Sequence, residues 1–375
     1  MAAPAAVTAA WQSWNGSARL HGIDLARALA VIGMLAAHLL TIEESLELAR
    51  PETWVDLVNG RSSILFAVLA GVSLALVTGG TRPRTGIPLR IARRRIAVRA
   101  ALLWVIGVGL ILTGVPVYVI LPAYAILFLV ALPLLRLPVR ALWVSAVAVL
   151  LVMPWFLPAL EAATFWDTDL GYVVFLISGW AYPFPLWIGF VLLGLAIGRS
   201  DLRSVWTQGV LLGGGVAAAV AAGMAAIVIR ATGAVLPGSD LEPVWSAEAH
   251  SGGLIEVIGS AGTAVAVLGA CLLLCRTRAT WVLTPLRAVG AMPLTAYAGQ
   301  IVVWAIAAGV AFGDTTDLWS FRELQPFGWF VLGVVVFCFA WGSLLGQGPL
   351  ERLLGWAARR AVPDERQDAA VRVEQ

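Results

Sequence analysis

The sequence predicts an all-α fold: a polytopic integral membrane helix bundle of about ten transmembrane helices, with both termini cytoplasmic. Three observations carry that expectation. Of the 375 residues, 60% are hydrophobic and 13% charged, with a mean hydropathy of +0.88, whereas soluble domains are about half apolar and a quarter charged. The apolar runs are continuous and about 20 residues long, the length a bilayer asks of a helix; a barrel would show ~10-residue alternating segments. Finally, all 25 basic residues are arginine, and they collect in every second loop.

An Ala-rich lead over 1–21 carries Trp11 and Trp14. Ten apolar runs follow, near 22–41, 62–78, 97–114, 116–135, 141–158, 172–198, 208–229, 253–275, 288–311 and 326–346. The third and fourth are joined so tightly, through Thr113 to Pro116, that a re-entrant pair is open. Pro183 and Pro185 break the sixth, or set an interfacial segment before it.

Seven arginines lie between 82 and 99; Arg136 and Arg140, Arg199 and Arg203, Arg276, Arg278 and Arg287, and Arg352, Arg359 and Arg360 fill the alternate connections and the tail. The opposite loops are acidic: Glu43, Glu44, Glu47, Glu52 and Asp56, then Glu161, Asp167 and Asp169, then Asp240, Glu242 and Glu248, then Asp314, Asp317 and Glu323. Basic residues mark cytoplasmic loops, so the alternation orients the bundle and an even count closes it. We divide the chain into the lead 1–21, an N-terminal transmembrane region 22–230, a C-terminal transmembrane region 231–348 and a cytoplasmic tail 349–375. The tail begins as an amphipathic helix with Leu350, Leu353, Leu354 and Trp356, expected on the inner membrane surface. Its polar stretch after Pro363 is expected to be disordered.

Residues 1–20 lack the basic start, short apolar core and cleavage site of a signal peptide, so the first span is expected to be kept. Cys271, Cys275 and Cys338 lie in apolar runs and read as small hydrophobes, with no metal expected. No Walker loop, strand-linked GxGxxG, HExxH, GxSxG or CxxC pair occurs, which removes the usual signatures of ATP hydrolysis, nicotinamide chemistry and metalloproteolysis.

Chemistry concentrates on the first span, Gly22 to Leu40. Asp24 and His38 lie about 40° apart around a helix and ~21 Å apart along it, and Arg27 falls within roughly 20° of the same line. Ionisable groups at membrane depth normally face a bundle interior or watery cavity; the alternative is a surface Asp24–Arg27 ion pair and a helix-capping His38. Asn59-Gly60-Arg61-Ser62 opens the second span: Arg61 could clamp a polar group beside His38, or bind a lipid phosphate while Asn59 or Ser62 caps the helix. Glu256, Ser260 and Thr263 share one face of the eighth span. Glu256 would pair with His250, Arg61 or His38, assembling two histidines, an arginine and a carboxylate in an outer cavity. A histidine oriented by a carboxylate suits general-base activation of a hydroxyl or amine; a Glu–Arg pair locking helices together is the structural alternative. Tyr297 and Gln300, i,i+3 neighbours in PLTAYAGQ, read either as substrate ligands or as interhelical glue. The arginines at 90–99 could also hold a phosphate-bearing ligand such as the nucleotide end of coenzyme A.

The stretch RLHGIDLARALAV from Arg19, with His38 and the NGRSS segment, resembles the start of YeiB-like bacterial membrane proteins. These carry a region similar to the catalytic domain of heparan-α-glucosaminide N-acetyltransferase. The later segments HSGG, EVIGSAG, PLRAVGAMPLTAYAGQ and GPLERLLGWAARR resemble the domain of unknown function 418 that ends such proteins. The resemblance implies a multi-pass protein of the bacterial plasma membrane moving an acyl group from acyl-CoA (acetyl-CoA) to a sugar or other polar acceptor across the bilayer. Asp24 and Arg27 fall on the family's Asp-x-x-Arg, implying a donor-binding role, and Asn59-Gly60 on its Asn-Gly. The animal enzymes carry their acyl-transferring histidine just before that Asn-Gly; here 42–60 hold none, leaving His38 or His250 to stand in.

Expected partners are the bilayer and a small-molecule or glycan acceptor, with no nucleic acid; a homo-oligomer stays open. The rival reading is a transporter or flippase for an amphiphilic solute using the same polar stripe, though no internal repeat is visible. A non-enzymatic scaffold is the third.

Overall fold

The computed structural model describes residues 2–42 and 50–363, and among them every regular element is helical. Glu43, Glu44 and Glu47 of the first acidic loop, and the polar stretch after Pro363, lie outside the described residues. In chain order the helices are α1 (Ala2–Asn15), α2 (His21–Leu39), α3 (Arg61–Val77), α4 (Gly86–Ile111), α5 (Leu121–Leu134), α6 (Val139–Val152), α7 (Leu157–Glu161), α8 (Asp169–Ser178) and α9 (Phe184–Gly198). They continue as α10 (Val205–Thr232), α11 (Leu254–Leu274), α12 (Ala279–Val282), α13 (Thr284–Ala291), α14 (Pro293–Phe312), α15 (Leu318–Glu323), α16 (Phe327–Leu345) and α17 (Pro349–Ala361).

Among the described residues six helical stretches are long and apolar enough to cross a bilayer: α2, Thr53–Val77 including α3, α10, α11, α14 and α16. The pair Val139–Trp155 and Leu157–Asp167, bent by 58°, brings the number to seven. The remaining sequence-derived runs fall on α4, which carries five arginines between Arg90 and Arg99, on the 14-residue α5, and on α8 and α9. The sixth run is divided: Gly179, at φ +66°, ends α8, and Pro183 precedes α9.

The first apolar run is the hub of the bundle. Of the α2 window 72% is buried, against 11% for α10 and for α16 at the periphery, and α2 packs on α3, α11, α13, α14 and α16. Such approaches need small residues: a Cβ at Gly290 of α13 would overlap the Asp24 backbone, and one at Gly194 of α9 would overlap Val68 of α3. From Leu186 to Gly198 every residue of α9 is buried, so α9 is the second interior rod, flanked by α3, α5 and α6.

The first and last described helices are built in. The Ala-rich lead, a good helix former, is α1, and its Trp14 is buried beside Gly342 of α16. In α17, Leu354 and Ala358 are buried while Leu353 and Trp356 stay exposed. Arg95 Nε of α4 donates to Val362 O at 2.9 Å, so the amphipathic helix docks on protein through one part of its apolar face. Glu351 of α17 accepts from the N–H groups of Leu294 and Thr295 at 2.8 and 3.1 Å, capping the N-terminus of α14, where free donors favour an anion.

Candidate functional site

A cavity of about 560 Å³ opens where the end of α2, the turn before α3 and the start of α11 meet, and His38, Asn59, Ser62, His250 and Glu256 all line it. His38 is one residue from the end of α2, and Arg322 holds that terminus by donating to the His38 carbonyl through Nε and Nη2 at 3.0 and 2.8 Å. Ser62, in the first turn of α3, is buried against Gly33 of α2, where a Cβ would strike its hydroxyl.

Glu256 is 8% exposed in the first turn of α11. Its Oε1 accepts the His250 N–H at 2.7 Å, and its Oε2 accepts the Gly252 N–H at 2.7 Å and the Ser251 hydroxyl at 3.4 Å. His250 adopts φ +66° and Gly252 φ +67°, and this left-handed turn aims both N–H groups at the carboxylate. The Glu256–His250 pairing expected from the sequence runs through the backbone rather than the imidazole: Glu256 accepts the His250 N–H, with the Gly252 N–H and the Ser251 hydroxyl on its other oxygen. The ring partner is Asn59, whose Oδ1 lies 3.2 Å from His250 Nε2. In the tautomer where Nε2–H donates to Asn59, Nδ1 is the basic nitrogen. Surrounding protein pushes the His250 imidazole below its ordinary pKa, chiefly by removing bulk water, so the ring is neutral and able to accept a proton at pH 7. Such a base beside a hydroxyl or amine supports its attack on an acyl carbon.

Sequence reasoning missed much of the wall. Trp166, Trp180, Tyr182, Trp187 and Glu161 also line the cavity; 17 tryptophans in a membrane chain give no signal of which enclose a site. Tyr182 donates to Tyr118 O at 3.0 Å.

Arg61 does not reach this wall; its Nη1 donates to Asp56 O at 2.8 Å. Tyr297 and Gln300 are also off it. The Tyr297 hydroxyl accepts the Ile120 N–H at 3.2 Å, bracing the segment whose Pro116 to Tyr118 form the wall. Gln300 is 2% exposed, and its amide has no hydrogen-bond partner among the described residues.

Asp24 and Arg27 lie at the opposite end of α2 and line no part of that cavity. Asp24 is held by Arg19 Nε at 2.7 Å and Nη2 at 3.0 Å and by Arg27 Nη1 at 3.3 Å, and Arg27 Nη2 donates to Ser73 Oγ at 2.6 Å. The polar stripe is therefore two separate clusters: a closed ionic network at one end and an open cavity at the other. At the network's end, a groove of about 580 Å³ between α3 and α4 is lined by Arg84, Arg95 and Arg99 among aliphatic side chains. Arg99 Nε is buried without a partner among the described residues, a fit for phosphate oxygens.

Two family profiles match the chain. "Heparan-alpha-glucosaminide N-acetyltransferase, catalytic" covers residues 19–227, and "Protein of unknown function (DUF418)" covers 215–361. No curated protein matches. The cavity draws on both segments, His38 and Asn59 from the first and His250 and Glu256 from the second. With more than half of its residues matched by the first profile, and the second following as in YeiB-like proteins, the chain belongs to the heparan-α-glucosaminide N-acetyltransferase catalytic-domain family.

Proposed function

We propose that this protein transfers an acyl group, acetyl in the simplest case, from acyl-CoA to a hydroxyl or amine of a sugar or other polar acceptor across the bacterial plasma membrane. The observation that carries this reading is the convergence of His38, His250 and Glu256 on one polar cavity in a chain of this family. In this reading α4, α5 and the divided α8–α9 also cross the bilayer, making ten spans with both termini on the arginine-rich, cytoplasmic side.

The donor's phosphates sit at that inner side, on the Arg84, Arg95 and Arg99 groove, with Asp24 and Arg27 as the shut ionic network beside it. Its acyl end lies ~21 Å further along α2, by the rise of a helix over fourteen residues. Asn59 and Ser62 contact the acceptor; Arg61, Tyr297 and Gln300 act behind the wall. The acceptor heteroatom attacks the thioester carbonyl while the His38 or His250 imidazole takes its proton. The tetrahedral adduct then expels the thiolate, which receives that proton from the imidazolium, so the C–S bond breaks as the new acyl bond forms. No observation favours a transporter.

The test is the full-length protein in nanodiscs with labelled acetyl-CoA and a panel of sugar acceptors. Labelled product is expected, and His38→Ala and His250→Ala should abolish it while both variants stay folded. Undiminished turnover in both removes the catalytic assignment. Saturable solute uptake into proteoliposomes without CoA release would replace it with the transport reading.

A further inference from the structure

The polar cavity is not closed behind its aromatic wall. A second cavity, about 410 Å³, lies against it, and Pro116, Val117, Tyr118, Phe175 and Ala181 line both. The two differ in chemistry. The difference is one of side-chain charge, not of how much polar surface is shown: the first carries imidazoles, carboxylates and the Asn59 amide among many apolar groups, while the second has no charged side chain, its polar surface coming from backbone groups and the hydroxyls of Tyr118 and Tyr172. Its outer rim is open, with Tyr118 60% and Tyr172 62% exposed. Neighbouring Leu112, Leu170 and Val173 are exposed too, so this rim meets acyl chains once the helices are in a bilayer.

Charge narrows what the first cavity accepts. Among the described residues no arginine lines either cavity, and the chain has no lysine. Glu161 and Glu256 line the first. An anionic head would lie beside the Glu161 and Glu256 side chains with no guanidinium on the lining, Arg61 acting on Glu256 only from off it, at a cost that rises as water is excluded. A neutral or amine-bearing head finds acceptors and donors, including Trp180, whose Nε1 has no partner among the described residues.

We infer that the acceptor is an amphiphile: an uncharged or amine-bearing polyol head in the larger cavity, with an apolar chain running through the smaller one and out between the 112–119 segment and α8. This rests on the acyl-transfer reading for the word acceptor, and names the substrate class that the same site takes. The shared wall, held by Tyr182 on Tyr118 O, is the waist between head and chain.

The experiment uses the full chain in nanodiscs without any acyl donor. The probe is a long-chain alkyl glucoside with a diazirine in its chain, and crosslinked peptides are mapped after illumination. Labelling is expected within 111–119 and 172–181; labelling spread over peripheral α10 and α16, as for bulk lipid, overturns the inference. Partitioning into the bilayer favours long chains over methyl glucoside in any membrane protein, because lipid is as apolar as a leucine side chain. The decisive comparison is therefore the same long-chain probe on the native protein and on Leu176→Trp, which fills the smaller cavity. Affinity for it should fall about tenfold while methyl glucoside affinity holds; an unchanged long-chain affinity overturns the inference. Should Leu176→Trp fail to fold, Ile111→Trp reports on the same cavity. An alkyl phosphate of equal length should bind at least about tenfold more weakly, and equal binding overturns the head-group assignment. Acetyl transfer is assayed separately. Cavity labelling without turnover removes the acyl-transfer reading alone, and turnover without cavity labelling removes this inference alone.

Discussion

Asn59 Oδ1 and His250 Nε2 stand 3.2 Å apart, joining two connections that lie 191 positions apart in the chain. The bond orients a ring whose backbone is fixed independently by Glu256. Its pH consequence has a definite sign. Partial loss of bulk water lowers the His250 pKa from the ordinary 6.5 although the residue stays exposed at the cavity, so the neutral base is present above the depressed value, and activity falls only once pH drops through it. The stability contributed by the neutral ring is full above about 6.5 and is lost as pH falls below it, since the unfolded chain binds the proton first. Asn59→Asp places an anion beside the ring, and it faces the same cavity as His38 and Glu256. The acid limb of the pH–rate profile should move to higher pH in that variant, with little change in fold. An unmoved limb would show that another group, His38 first, is the titrating base.

The left-handed backbone of His250 supplies a second prediction. Any side chain with a Cβ is strained at φ +66° by about 1 kcal/mol, and glycine is not. His250→Gly should therefore unfold at a higher temperature than His250→Ala, by the equivalent of about 1 kcal/mol. Both should lose activity alike. Detergent-phase thermal unfolding checks the first statement and turnover the second.

How far these features were legible differs residue by residue. His38 and Glu256 stood out because ionisable groups are expensive within apolar runs, and both line the cavity. The role of Asn59 as ring partner was not legible, because local spacing says nothing of contacts made 191 positions away. Arg322 sits in an acidic loop with no spacing signal of its own, yet it closes the end of α2. The Ala-rich lead gave no sign of where it packs; its helix is pinned by Trp14, which is buried against Gly342, far along the chain. Asp24 and Arg27 fell on the same helical line as His38, and hydropathy could not tell that Arg19 and Ser73 close that end.

Tyr297 shows how a wall can be set from outside it. Tyr297→Phe leaves the buried Ile120 N–H without its acceptor, a loss of about 1–3 kcal/mol. Because Ile120 lies only two residues past Tyr118 of the wall segment, acceptor KM should rise in step with the loss of stability, while kcat is less affected. A pure packing role would lower the unfolding temperature and leave KM alone.

Gln300 gives the sharpest separation of a binding role from a structural one. Its amide is buried on α14 with neither Nε2 nor Oε1 bonded among the described residues. A buried polar group without partners is a standing cost of about 1–3 kcal/mol, and its replacement by an apolar group of similar shape is near neutral or stabilising. Gln300→Leu should thus hold or raise the unfolding temperature. If the residue only fills space between helices, activity and acceptor KM stay at their native values. If instead the amide is kept for a ligand, the same variant will be at least as stable and yet bind acceptor or donor more weakly. Stability and affinity moving in opposite directions would mark Gln300 as a ligand-facing residue despite its distance from the polar cavity.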